Sequence, residues 1–254
     1  MSQPLPSLPS LPGRVALITG AARRVGAVIA ETLHRQGMNL VLHYRSSGAE
    51  AEALCERLNQ ERPASAITLA CELHDTARLP SLAARASAHW GRLDALINNA
   101  SSFYPTPLGT ITEQHWDDLM GSNLKAPLFL SQAAAGALRE TNGCIVNITD
   151  IHAQRPLKSY PVYSIAKAGL VMLTRSLARE LGPEIRVNAV APGAIMWPEQ
   201  EMDEIVKQRI ISRTALKRQG QPADVARAVL FLIRDADYIS GEVIAVDGGR
   251  LLGD

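Results

Sequence analysis

Short apolar runs alternate with helical stretches along nearly the whole chain, and this alternation restricts the fold more than any other feature. Residues 15–18, 39–44, 66–70, 93–97, 144–148, 186–190 and 243–246 read as strands. Between them, helical spacing covers 27–36, 49–62, a stretch ending near Trp90, 112–140, 159–181, 198–213 and 222–234. The strands show little polar alternation, so both their faces are buried, as in a parallel sheet covered by helices on each side. The expected class is α/β: one doubly wound sheet of about seven parallel strands. No composition shift or long linker interrupts the pattern, so residues 14–254 read as a single domain. Residues 1–13 repeat Pro and Ser with no basic start or continuous apolar core; they read as a loose arm rather than a signal peptide.

Composition narrows the function by exclusion. Net charge is +1 with both signs mixed along the chain. No basic stripe points to nucleic acid or an anionic membrane. Cys55, Cys71 and Cys144 are isolated and odd in number, so a reduced, cytoplasmic setting is expected. The histidines have no metal-ligand spacing and no cysteine or carboxylate cluster beside them, so no metal is expected.

The first strand runs into Thr19-Gly20-Ala-Ala-Arg23-Arg24-Val25-Gly26 and then a helix. A glycine-bearing turn in this position presents backbone N–H groups and the helix dipole to a dinucleotide pyrophosphate. A gapped Gly–Lys–Ser/Thr loop for nucleotide hydrolysis is not present. The second strand ends in His43-Tyr44-Arg45-Ser46-Ser47, with no carboxylate to accept from a ribose 2′-OH. Arg45 with the two hydroxyls suits a 2′-phosphate instead, which favours NADPH. Glu72, after the third strand, either meets the adenine amino group or faces solvent.

Tyr163 and Lys167 are four apart in a helical segment and share a face. An ammonium beside a phenol favours the phenolate, so the pair is expected to lower the phenol's pKa and make a proton donor. Asp150 ends the fifth strand thirteen residues earlier, where the following loop returns it over that helix.

Together Thr19-Gly20 with Gly26, Asn98-Asn99-Ala100, Asn123, Tyr163-x-x-x-Lys167 and Pro192-Gly193 resemble the short-chain dehydrogenase/reductase family, in its order and spacing. That resemblance implies a Rossmann-type fold and a nicotinamide cofactor. It implies a cofactor site at Gly20, Arg23, Arg24, Val25, Tyr44, Arg45, Ser46, Ser47, Glu72, Leu73, Asn99, Ala100, Ser101, Tyr163, Lys167, Pro192, Gly193 and Ile195. It gives Lys167 the nicotinamide ribose and Asn123 the placing of the lysine. It also implies a homotetramer built around the long helices.

Two positions depart from the general pattern: Arg24 where a glycine is usual, and Asp150 where a serine is usual. Both resemble the pteridine reductase subgroup, as do Ser101-Ser-Phe103-Tyr-Pro-Thr-Pro107 and Pro192-Gly-Ala-Ile-Met196-Trp197-Pro198. The subgroup implies NADPH-dependent reduction of dihydropterins, and sometimes folates, to tetrahydropterins. Reduction of a C=N bond needs hydride at carbon and a proton at nitrogen, which a carboxylic acid supplies or relays more readily than serine. Asp150, Tyr163 and Lys167 are therefore read as one proton-delivery unit, with Asn123 beside it. Arg24, Ser101, Phe103, Asp150, Tyr163, Met196 and Trp197 are the expected substrate contacts. Phe103 stacks a flat ring against the nicotinamide, or belongs to the core; Tyr160 lines the pocket or is structural. A carbonyl reductase acting on a 3-oxoacyl thioester, and a non-catalytic NADPH-sensing regulator, are the competing readings.

Overall fold

A computed structural model of the chain describes residues 10–196 and 203–253. Seven strands form one parallel sheet: β1 (Val15–Ile18), β2 (Asn39–Tyr44), β3 (Ala66–Ala70), β4 (Ala95–Asn98), β5 (Cys144–Ile148), β6 (Arg186–Pro192) and β7 (Val243–Val246), in the order β3-β2-β1-β4-β5-β6-β7. The helices are α1 (Arg24–Arg35), α2 (Gly48–Glu61), α3 (Leu79–Ala88), α4 (Glu113–Met120), α5 (Ala126–Glu140), α6 (Pro161–Leu181), α7 (Glu204–Ser212) and α8 (Pro222–Arg234).

Every residue of β1, β4 and β5 is buried, because successive side chains point to opposite faces and both faces are covered. Ala16 and Ile18 join one apolar layer, with Ile29 and Leu33 of α1 and Val225 and Val229 of α8. Val15 and Leu17 join the other, with Leu82 of α3 and Leu130 and Leu138 of α5. Chain order reverses between β1 and β4, and the crevice at that switch point is where open α/β sheets bind ligands. The turn after β1, Asn99 after β4, Asp150 after β5 and Gly193 after β6 all follow carboxyl ends of strands.

Some boundaries differ from those read in the sequence. Helix α1 begins at Arg24, so Gly26 lies inside it. A Cβ on Gly26 would stand 2.3 Å from the Gly20 carbonyl oxygen and 2.7 Å from Asn99 Nδ2. That close approach requires glycine where helix propensity disfavours it. The stretch between β3 and β4 opens with a 3-10 turn, Thr76–Arg78, before α3. The expected single helix over 112–140 is two helices joined by a π turn, Gly121–Lys125. Pro127 has no N–H for the carbonyl of Asn123, which relaxes the ladder at that point. Of the predicted 198–213 helix, α7 is the described part. Trp197, residues 198–202 and most of the 1–13 arm lie outside the described residues.

Candidate active site

Tyr163 and Lys167 lie one turn apart on α6, 4% and 2% exposed. The Tyr163 hydroxyl donates to Asp150 Oδ2 at 2.8 Å. Asp150 Oδ1 accepts the backbone N–H of His152 at 2.8 Å, capping the 3-10 turn Ile151–Ala153 and holding the carboxylate over α6. Lys167 Nζ donates to the Ile148 carbonyl at 2.9 Å and stands 5.6 Å from the centre of the Tyr163 ring. β5 thus carries both the carbonyl that anchors the lysine and, just beyond its end, the acid that meets the tyrosine.

Charge in this cluster runs opposite to the expectation for an ammonium-activated phenol. Burial pushes the Tyr163 pKa well above its usual value of 10, and the adjacent Asp150 carboxylate pushes it further; the Ser101 hydroxyl works against them. Lys167 is engaged with the Ile148 carbonyl and does not reverse this. Burial lowers the Lys167 pKa from 10.5 to about 8, with Asp150 partly opposing. The phenol is therefore held protonated, hydrogen-bonded to a carboxylate, and ready to give a proton rather than to exist as a phenolate.

Ser101 donates to Asn123 Oδ1 at 2.7 Å, and Asn123 Nδ2 donates to the carbonyls of Ser102 and Leu119 at 2.9 Å each. The π turn is what swings Asn123 out of the helical ladder toward the loop after β4. Phe103, 46% exposed, stacks on Tyr160 with centroids 4.7 Å apart and meets the Tyr163 ring edge-on at 4.8 Å. Thr106 donates its N–H to the Ser159 carbonyl at 2.7 Å, so this loop is fastened to the start of α6. Phe103 belongs to an aromatic wall beside the Tyr163–Asp150 pair. Tyr160, whose role the sequence left open, is its stacking partner.

The turn after β1 fits a pyrophosphate. Arg23 precedes α1 with no side-chain cap, and the first turn of α1 has no acidic residue, so the helix N-terminus offers its N–H groups and positive dipole end to the crevice. Gly20 and Arg24 have φ of +62° and +55°. Glycine takes this conformation without cost; for Arg24 it costs about 1–2 kcal/mol, which marks the one turn position where the chain departs from glycine as strained. Asn99 Nδ2 donates to the Thr19 and Gly20 carbonyls, while Thr19 Oγ1 accepts from the N–H groups of Asn99 and Ala100. These bonds lock the turn to the end of β4. Arg23 lies 3.6 Å from Glu50, and Val25 packs against the core layer of α1.

At the rim, Tyr44 ends β2, with its ring against Gly48; Ser46 and Ser47 follow, and Ser47 precedes α2 without capping it. Arg45 Nε lies 4.0 Å from Glu72. Glu72 Oε1 accepts from the backbone N–H of His74 at 3.1 Å and lies 2.8 Å from its ring. The carboxylate read as an adenine contact is therefore shared between Arg45 and His74, while Leu73 is buried in the core. The sequence places His43 in the cofactor loop and leaves His74 without a role. His43 is buried in β2, its Nδ1 accepting from the Gly20 N–H at 3.2 Å and its Nε2 donating to the Cys71 carbonyl at 3.0 Å. Burial lowers its pKa, consistent with a neutral ring fixed in one tautomer. It braces the turn rather than lining the cofactor loop. His74 bridges to α4. Glu72 is a near neighbour of His74, but the other partners, Gly20, Cys71 and Asp118, are remote in the chain and leave no local signal.

Pro192 ends β6, and Gly193 donates its N–H to Val246 at 3.0 Å. A Cβ on Gly193 would lie 2.7 Å from Asp247 Cβ, so only glycine lets the two strand ends converge. Ile195 is buried and Met196 is exposed. Among the described residues, no group of three or more His, Cys, Asp or Glu side chains could hold a metal, and no helix is long and apolar enough to cross a membrane.

A glycine turn at the switch point and a Tyr-Lys pair on the helix after β5 define a nicotinamide-dependent oxidoreductase. The profile described as enoyl-(acyl carrier protein) reductase matches residues 20–250, and the chain belongs to the short-chain dehydrogenase/reductase family. It is 40% identical to pteridine reductase 1 of Leishmania tarentolae, over 94% of this chain and 96% of that protein. It is 34% identical to the 3-oxoacyl-[acyl-carrier-protein] reductase FabG of Staphylococcus aureus, over 93% and 98%. The corresponding protein of Staphylococcus epidermidis is 33% identical over the same shares.

Proposed function

We propose that this protein is an NADPH-dependent pteridine reductase, converting dihydropterins, and folates of the same ring system, to their tetrahydro forms. The observation that carries the reading is the 2.8 Å bond from the Tyr163 hydroxyl to Asp150. A carbonyl reductase needs one neutral donor on an oxygen. A ring C=N bond takes hydride at carbon and a proton at nitrogen, and Tyr163 with Asp150 behind it supplies that proton through a connected pair. The bound nicotinamide supplies the hydride. Lys167 holds the ribose and keeps positive charge beside the donor, while Asn123 and Ser101 fix the floor of the site. Phe103, partly exposed beside the Tyr163–Asp150 pair, offers aromatic surface to a flat heterocycle. Arg45, Ser46 and Ser47 take the 2′-phosphate, and Arg24 and Met196 border the substrate. Trp197 is proposed as a further contact.

The similarity to 3-oxoacyl reductases favours a second reading, reduction of an oxoacyl thioester on the same Tyr163–Lys167 pair. Steady-state NADPH oxidation with dihydrobiopterin, dihydrofolate and an oxoacyl thioester side by side separates the two. Turnover of the pterin well above the thioester is expected; turnover of the thioester alone would overturn the pteridine reading. A homotetramer is also proposed, supported by apolar side chains exposed on α4, α5 and α6, including Trp116, Phe129, Ile165 and Met172. Sedimentation of the purified protein checks it.

A further inference from the structure

His74 stands in the loop after β3, and nothing in the proposed reduction uses it. Both of its ring nitrogens face acceptors. Nδ1 lies 2.8 Å from Glu72 Oε1. Nε2 lies 3.1 Å from the Asp118 carbonyl oxygen and 3.3 Å from Asp118 Oδ1. A neutral imidazole has one N–H and satisfies one side; an imidazolium has two and satisfies both. The ring is also packed hard against α4's end, since a Cβ on Gly121 would stand 2.4 Å from His74 Cδ2.

Arg45, Glu72, His74 and Asp118 therefore form a row of alternating charge. It runs from the rim assigned to the cofactor's 2′-phosphate to the last turn of α4. The Asp118 carbonyl that meets His74 also accepts from Ser122 Oγ at 2.8 Å, and Ser122 Oγ in turn accepts from Asn123 Nδ2 at 3.2 Å. The other groups around the ring are accounted for. Burial and the nearby Asp118 charge push the Tyr104 pKa up to about 12, and Arg78 engages Asp75, while Glu113 and Asp117 line the same open cavity with Arg45 and Gln114.

We propose that His74, held as an imidazolium between Glu72 and Asp118, is a positioning residue that tunes the Arg45 rim for a cofactor bearing a 2′-phosphate and ties that rim to the turn presenting Asn123. The proposal rests on the assignment of Arg45 to that phosphate. A phosphate on Arg45 comes close to Glu72, a like charge. The imidazolium offsets Glu72, so phosphate binding and His74 protonation favour each other. Burial works against the charged ring, but the bonds to Glu72 and Asp118 outweigh it and raise its pKa above 6.5. The clasp is thus complete at low pH and lost as pH rises through that raised value. The phosphate's own second ionisation, with a pKa of about 6, is nearly finished by pH 7 and does not enter the part of the window above that pH.

The test is the ratio of NADPH to NADH affinity, measured by cofactor fluorescence from pH 6.5 to 9. Loss of the Lys167 proton affects both cofactors at the ribose and cancels in the ratio. In the unaltered protein the ratio should fall about three- to fivefold across the window, the scale of a partly exposed ion pair. In His74→Asn it should be low and flat, with kcat at saturating NADPH reduced as the Asn123 turn loosens. Asp118→Asn, which keeps the α4 backbone, should shift the fall to lower pH and serves if His74→Asn melts early. A flat ratio in the unaltered protein, or a His74→Asn profile that overlays it, overturns the proposal. Arg45→Ala separates the underlying reading: if NADPH preference survives that change, the phosphate assignment fails, whereas preference lost there but unchanged in His74→Asn sinks only the role of His74.

Discussion

The two ends of the crevice are built differently. At the β5–α6 end, Tyr163 and Lys167 are almost wholly buried, and their hydrogen bonds to Asp150 and Ile148 are 2.8 and 2.9 Å. At the β2–β3 end, Arg45 and Glu72 are about half exposed and 4.0 Å apart. Burial explains the difference. A polar group removed from water must have partners with good geometry, so the chemical end is preformed. Exposed charges lose little if unpaired, so the rim acts through attraction and adjusts to what binds. In the proposed function, chemistry that needs an atom placed to a few tenths of an ångström would sit at the rigid end, and discrimination between two cofactors at the compliant one.

The contrast can be broken most severely at the buried end. Tyr163→Phe removes the proton donor and should cut turnover about a thousandfold, within the range of general acid catalysis, while NADPH titration stays close to that of the unaltered protein. Lost cofactor binding would instead make the phenol part of the scaffold. Asp150→Ser leaves the tyrosine but disconnects it from its carboxylate, and pterin turnover should fall about a hundredfold; full retention would remove Asp150 from the proton path.

Titration probes the same end without mutation. Burial lowers the Lys167 pKa to about 8, so the ammonium is present below that pH and lost above it. Activity measured as kcat/KM should fall as pH rises through about 8, approaching tenfold per pH unit. Stability should move the other way. The buried charge costs folding free energy below about 8, and that cost is relieved as pH climbs toward the ordinary lysine value of 10.5. Melting temperatures at pH 8 and 9 therefore tell loss of the ammonium from alkaline unfolding.

Effects at the rim should be smaller. Arg45→Ala should weaken NADPH about tenfold and NADH less than twofold; equal losses would end the 2′-phosphate assignment. Raising ionic strength should lower NADPH affinity a few-fold and leave the first-order chemical step in single turnovers nearly unchanged, because exposed charges are screened and buried ones are not. A salt-sensitive chemical step would erase the distinction between the two ends.

What was legible in the residues follows the same division. The strand cores, α8 and the helix bearing Tyr163 were readable because period and apolar content are local signals. The single helix expected over 112–140 was not, because its pattern continues through Gly121–Lys125 while the backbone does not. The partners of His43 and His74 were invisible for another reason: Gly20 and Asp118 are 23 and 44 residues away. Phe103 was seen as an aromatic near the crevice, but its stack on Tyr160 required two loops to meet.

The sequence by itself determined the alternation that makes the sheet, the glycines at 20 and 26, the four-residue interval from Tyr163 to Lys167, and the presence of an acid rather than a serine at 150. Each is a matter of residue type or spacing within a few turns of chain. Only the tertiary structure decided that Asp150 receives the tyrosine's hydrogen bond, that the phenol's pKa rises instead of falling, and that Glu72 is held between Arg45 and His74. Those outcomes depend on desolvation and on charges brought together from distant strands, and neither exists until the sheet has closed over its core.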